Sequence, residues 1–294
     1  MLTPVQVGQV NSSIPYVCPE CRSTLRHAVV NIRGEQLTCV KCTGSYAVSH
    51  GIPILISREA YHRFPIREVQ AIYDRAYDHP GIMGTQLDRE YSRITKTTLL
   101  DFCRDAPNPR LLDVGSGDGD LWKFAATSDG SHSVDISEVG VRRALDRFPS
   151  LRGAVAVAEW LPYPDGYFGS IVAADTLEHT FDLTQSLREI RRVLVADSTF
   201  ACSVPAPNSL QKWGYSRFVR SVPSIGLFIR LVRVVLLRAY LFGRPNFQPL
   251  DRDLSLDSWR RTMEEAGFRV VAVQEWPSTP LKPIVYLISM RPRS

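Results

Sequence analysis

At 294 residues, with 44% hydrophobic and 22% charged residues, the chain has a globular composition that excludes wholesale disorder and suits one large or two modest domains. Six cysteines are too few for a disulfide scaffold, and no run of roughly 18 uncharged apolar residues suggests a membrane-spanning helix. The net charge of +5 conceals an asymmetry, because residues 209–250 hold seven Lys or Arg and no Asp or Glu, which leaves the remainder slightly acidic. Basicity is therefore a property of one surface. The N-terminal residues carry neither the basic start nor the apolar core of a signal peptide, so the expected location is the cytoplasm.

In chain order, residues 1–57 contain two close cysteine pairs among short β-like runs and end in the apolar stretch Gly51-Ile52-Pro53-Ile54-Leu55-Ile56. Residues 58–109 form a helical lead-in, with amphipathic stretches at 65–78 and 85–103 broken by His79-Pro80-Gly81. From 110 to 294 strands and helices alternate. Strands are expected at 110–114, 131–136, 153–158, 170–174 and 199–204, and helices at 119–126, 137–147 and 183–195, with Ser137 as an N-cap. A helix at 257–266 stopped by Gly267 and strands at 268–276 and 284–290 complete the chain. Such alternation implies an α/β fold with a mostly parallel sheet covered on both faces.

Cys18-Pro-Glu-Cys21 and Cys39-Val-Lys-Cys42 are CxxC turns separated by 17 residues. Each turn aims two thiolates at one point, and four sulfur ligands with no open position describe structural zinc. Cys103 and Cys202 fall on core elements and read as inert packing residues. The run from Tyr16 to Cys42, with Tyr46 and Gly51-Ile52-Pro53 after it, resembles the small zinc-ribbon activator subunits of tRNA, rRNA and release-factor methyltransferases. His50 stands at the usual Asp position of that ending.

The stretch Leu111-Leu-Asp113-Val-Gly115-Ser-Gly117-Asp-Gly119 follows a strand, and its three glycines permit a tight turn and close approach to a ligand. Asp135 ends the next strand, 18 residues after Gly117, where a carboxylate can grip ribose hydroxyls. Residues 110–204 resemble class I S-adenosylmethionine-dependent methyltransferases, through Asp113, Gly115, Gly117 and Gly119, Asp135, the 161–168 stretch LPYPDGYF, Leu177-Glu178-His179 and Arg192-Val193-Leu194. The resemblance implies a seven-stranded Rossmann-like sheet. It also implies that the glycine loop holds the methionine end of S-adenosylmethionine and Asp135 its ribose. Ala158 and Glu159 would then flank the adenine, and Asp175 would join the cofactor site. Val157 stands where the family often has an adenine-binding Asp, so Glu159 or a backbone group is expected to substitute.

His179, at the rim where doubly wound sheets bind ligands, is the candidate base, with packing of a loop as its alternative role. Asp175 and Glu178 read as loop hydrogen-bonding residues, and Tyr73 and Tyr77 as helix packing or as covers of the cofactor. No Asn-Pro-Pro-Tyr motif follows the fourth strand, which counts against methylation of adenine or glutamine amide nitrogen.

In the basic insert, Arg230, Arg233 and Arg238 share an arc of about 140° at 100° per residue, opposite a wide Leu, Ile, Val and Phe face. That pattern suits a helix packed on the sheet, or one lying in the inner membrane surface through 217–242. The expected acceptor is a small or lipid-linked molecule methylated at oxygen. RNA gripped by the ribbon is the alternative, and a non-catalytic cofactor-binding scaffold a further one.

Overall fold

The computed structural model describes residues 15–30, 34–79, 86–206, 236, 249–276 and 285–293. Of the basic insert, only 236, 249 and 250 belong to that set, so the expectations for 217–242 lie outside the described residues.

The first strands, β1 (Leu25–Val30), β2 (Gly34–Cys39), β3 (Ser45–Ser49) and β4 (Ile52–Pro53), form an antiparallel sheet in that order. The β3–β4 turn consists of His50 (φ 51°) and Gly51 (φ 78°), both left-handed, which matches a two-residue hairpin turn. Asp, Asn and His are the non-glycine residues that adopt this conformation most readily, so His50 can stand where the resembling subunits carry Asp.

Three helices follow: α1 (Arg58–Arg63), α2 (Ile66–Asp78) and α3 (Gln86–Phe102). Ser57 caps α1 by accepting a hydrogen bond from the Ala60 amide at 3.0 Å, and Phe64-Pro65 separates α1 from α2. Residues 80–85, including two of the three breaker residues, lie outside the described set.

The larger sheet contains β5 (Leu111–Val114), β6 (Ser131–Asp135), β7 (Arg152–Val155), β8 (Phe168–Ala174), β9 (Leu194–Pro205), β10 (Phe268–Trp276) and β11 (Val285–Pro292). Its order is β10-β11-β9-β8-β5-β6-β7, with β5 to β9 parallel and β11 antiparallel between β9 and β10. This is the mostly parallel sheet that the alternation implied, with the seven strands and Rossmann-like order that the methyltransferase resemblance implied. Helices α4 (Glu138–Arg147), α5 (Leu183–Val193) and α6 (Leu256–Glu265) begin at Ser137, Asp182 and Ser255, whose side chains accept from backbone amides three residues on. Gly267, at φ +90°, ends α6 as expected.

One expected element is corrected. In place of a helix over 119–126 there is a short 310 turn, Asp120–Lys123. Gly119 enters it left-handed, and the buried Trp122 ring donates its Nε1 proton to Ser133 Oγ at 2.8 Å, tying the turn directly to β6. The chain then turns at Ser128–Ser131 into β6, which leaves no room for further helical turns.

The small sheet is fastened to the large one. Tyr16 Oη donates to Gly153 O at 3.0 Å and Val17 N to Pro162 O at 2.9 Å. Beyond β4, Leu55 N donates to Val155 O at 2.7 Å and Ile54 bridges Val155 in parallel, so the chain covers the β7 edge. Tyr16, Leu25, Leu37, Tyr46 and Leu55 share one apolar cluster with Leu112, Val134, Ile171 and Phe200.

Candidate active site

The glycine loop sits where β5 ends, with Gly115, Gly117 and Gly119 at φ +71°, +51° and +80°. Gly115 N and Ser116 N donate to Val134 O at 2.8 and 3.1 Å, which fixes the loop beside β6. A Cβ at Gly115 would lie 2.3 Å from Thr176 Cγ2, and one at Gly117 2.2 Å from Tyr77 Oη. Both torsion and space therefore demand glycine, because Thr176 and Tyr77 pack directly on the loop backbone.

Asp135 closes this cradle. Its Oδ2 accepts from Gly117 N and its Oδ1 from Ser137 N, each at 2.8 Å. Burial pushes its carboxyl up to about 6, against the pull of those two amides. Asp113, beneath the loop, is pushed up to about 8 by burial, with Lys96 acting in the opposite direction. Helix α2 lies across the loop ends. Gln70 Nε2 donates to Ile136 O at 2.9 Å, and Asp74 Oδ1 accepts from Ser137 Oγ at 2.6 Å and Val139 N at 3.1 Å. Tyr77 rests on Gly117, and the half-buried Tyr73 phenol is raised by desolvation and by the charges of Asp135, Glu178 and Asp251. Tyr77 thus packs on the glycine loop, and Tyr73 stands one turn before it on α2. Their i, i+4 spacing, which puts both on one helix face, was the available sequence signal.

Beyond β7, Ala158 is half-buried and packs against the main apolar cluster. The Glu159 side chain is a loop clamp: its Oε1 accepts from Phe181 N at 2.7 Å and Asp182 N at 3.0 Å. At the end of β8, Asp175 takes a left-handed φ of +52°, and its Oδ1 accepts from Tyr91 Oη and Ser203 Oγ, both at 2.7 Å. Asp175 thereby ties the end of β8 to α3 and β9, and not to its own loop as the sequence suggested. His179 donates from Nδ1 to Leu250 O at 2.5 Å, which leaves Nε2 as the basic nitrogen, 3.7 Å from Glu178 Oε1. Burial lowers the His179 pKa, so the imidazole is neutral at physiological pH. Glu178 is only 4% exposed, and its Oε2 has no hydrogen-bond partner among the described residues.

The four ribbon cysteines meet at one point. The sulfurs of Cys18, Cys21, Cys39 and Cys42 all lie within 4.8 Å of one another, with Cys18–Cys42 at 3.5 Å and Cys21–Cys39 at 3.4 Å. A tetrahedral zinc with bonds of about 2.3 Å sets sulfurs roughly 3.8 Å apart, so the donor set fits structural zinc. Tyr46 Oη, 3.1 Å from Cys18 Sγ, and the amides of Lys41 and Cys42, directed at Cys39 Sγ, form its outer layer.

Comparison with known proteins agrees with this geometry. A family model described as a methyltransferase domain matches residues 112–202, from β5 into β9. The ubiquinone/menaquinone biosynthesis C-methyltransferase UbiE of Rickettsia bellii is 28% identical over 221 residues, covering 69% of this chain and 85% of that protein. The Rickettsia akari protein of the same name is 30% identical over 149 residues, covering 46% of this chain and 59% of that protein. Among solved structures, the [4+2]-cyclase SpnF superposes with a TM-score of 0.54 over 78% of this chain and 97% of that one, at 14% identity, which is a likeness of fold alone. The fold and the matched domain together define an S-adenosylmethionine-dependent methyltransferase, with a four-cysteine cluster that fits zinc in its N-terminal sheet. No described helix is long and apolar enough to cross a membrane.

Proposed function

We propose that the enzyme methylates a small or lipid-linked acceptor at an oxygen atom. The observation that carries this reading is His179, a neutral imidazole with its Nε2 lone pair free of a covalent proton, at the rim beside β8 and β9. S-adenosylmethionine supplies, when bound, a methyl group already activated on a sulfonium. The chain's own work is then orientation and removal of one proton. Asp135 and the glycine loop hold the cofactor end, and α2 with Tyr73 and Tyr77 covers it from solvent. His179 Nε2 takes the hydroxyl proton of the acceptor as the new O–C bond forms and the C–S bond breaks. The enclosure of the site by tyrosines and buried carboxyl groups supports a small acceptor over a polymer.

A second reading, carbon as the methylated atom, is favoured by the Rickettsia relatives named as C-methyltransferases. The same base serves both, because removing a phenolic or enolic proton makes oxygen and the conjugated carbon nucleophilic together. The ribbon, docked on the β7 edge, acts in this reading as a fixed flank of the catalytic sheet, and the basic segment 217–242 as the contact with a membrane or lipid tail.

The test follows labelled methyl from S-adenosylmethionine in an extract of the source cells, with wild-type enzyme and with His179→Gln. Label in the organic-soluble or small polar fraction, lost in the variant, is expected. Label in RNA would overturn the reading and make the ribbon a substrate grip.

A further inference from the structure

Glu178 is a carboxyl group with one oxygen that nothing described satisfies. A buried polar atom left unpaired is destabilising, and one that a native fold retains calls for a partner such as a bound ligand. The side chain belongs to the short 310 turn Leu177–His179, directly after β8, and is 4% exposed. Several elements bring charged or titratable groups towards it: Asp175 from the end of β8, His179 from its own turn, Asp251 and Arg252 from the segment before α6, Tyr73 from α2, Tyr91 from α3 and Cys202 from β9.

None of these supplies a paired cation. Arg252 turns its guanidinium to the carbonyls of Thr180 and Phe181, and His179 is neutral. Aromatic rings stand near it: the Tyr91 ring, whose Oη donates to Asp175, meets Trp276 edge-on with centroids 5.4 Å apart, and the Tyr73 phenol on α2 is close enough to be raised by the Glu178 charge.

We propose that Glu178 is an acceptor-binding residue, whose Oε2 forms the hydrogen bond to an oxygen substituent on a planar, ring-shaped acceptor. The inference rests on the small-acceptor reading above and names the residue that would select it. Burial, reinforced by Asp175 and Asp251, holds the Glu178 carboxyl well above the usual carboxylate range, so Oε1 or Oε2 carries a proton to donate. The other oxygen of the same carboxyl, Oε1, lies 3.7 Å from His179 Nε2, so one ring oxygen is anchored at Oε2 while its neighbour is deprotonated. Sites that hydrogen-bond a substrate oxygen strongly reject analogues lacking it, because their own buried groups are then left unpaired.

The experiment uses the full chain saturated with S-adenosylhomocysteine and titrates catechol calorimetrically, with 1,2-dimethoxybenzene as the control. Catechol is expected to bind wild type and Glu178→Gln within about threefold of each other, and Glu178→Ala at least about tenfold more weakly, since only alanine removes the donor. Wild-type affinity should fall as pH rises through the raised carboxyl pKa, and Glu178→Gln should be flat over the same range. Thermal melting supplies a readout that a structural role would reverse. If Glu178 serves binding at the expense of stability, Glu178→Gln melts no lower than wild type.

Equal catechol affinity in wild type and Glu178→Ala, or no catechol binding to wild type, overturns the proposal. Its failure is separable from that of the small-acceptor reading: methyl label in RNA with Glu178-dependent catechol binding sinks only the latter.

Discussion

Gly117 shows how little freedom the glycine loop has. Its φ of +51° disfavours any side chain, and a Cβ would meet the Tyr77 hydroxyl at 2.2 Å. Gly117→Ala should therefore push α2 outward or turn the amide away from Asp135, and S-adenosylhomocysteine affinity measured by calorimetry should fall at least about tenfold, a loss of roughly 1.4 kcal/mol. Retained affinity would show that the loop does not hold the cofactor. His132 illustrates a different residue-scale constraint. It is fully buried among Tyr163, Tyr167 and Phe168, neither ring nitrogen has a partner among the described residues, and desolvation lowers its pKa to about 3. The unfolded chain takes up this proton below about 6.5, whereas the folded chain does not until about 3. Stability from this site is thus complete above pH 6.5 and is lost on acidification across that window. His132→Phe keeps the edge-to-face ring contacts and removes the titration, so denaturant unfolding should show a gain at pH 5 that shrinks towards pH 7. A gain independent of pH would mean that packing alone is responsible.

At the scale of elements, what was legible in the sequence was what depends on local chemistry. The glycine loop, the Ser137 cap, the Gly267 stop and the cysteine pairs each follow from a torsion, a cap or a ligand spacing that a few residues contain. The expected helix at 119–126 did not form, because Trp122 reaches across to Ser133 and Gly119 enters left-handed, a tertiary anchor that periodicity cannot reveal. The separate α1 was hidden by its shortness, although Ser57 and the Phe64-Pro65 break mark its two ends. Glu159, read as a group for the cofactor, has a role that the sequence did not show: its side chain holds the 181–182 backbone from 22 and 23 residues away, a pairing created only by folding. The ribbon's stability belongs to this scale as well. Its strands are short, and four converging thiols without a metal would repel one another once ionised, so metal binding supplies much of the folding free energy. The protein should carry one zinc per chain by elemental analysis, and Cys39→Ser should be insoluble or melt well below wild type. A soluble Cys39→Ser protein with the wild-type melting temperature would show that the site is dispensable.

At the scale of the molecule, the two sheets behave as one body because their cores and polar contacts are continuous. Glu189 on α5 is the polar centre of that junction. It receives Arg192 through both carboxylate oxygens at 2.7 Å, Arg22 of the ribbon at 3.0 Å and Leu161 N at 3.1 Å. A buried carboxylate with this many donors is costly to expose, and its Arg192 partner also holds the carbonyls of Leu161 and Tyr163. Those residues form the loop on which Tyr16 and Val17 rest. Losing the ribbon would therefore uncover Tyr163, release the β7 edge and loosen the strand that leads to Ala158. Coupling of this kind predicts a single calorimetric unfolding transition for the full chain. Removing zinc with a chelator should lower that transition as a whole and weaken S-adenosylhomocysteine binding, even though the cysteines do not belong to the cofactor cradle. An early, separate transition for the ribbon, with cofactor affinity unchanged, would show instead that the shared core does not transmit its stability to the catalytic sheet.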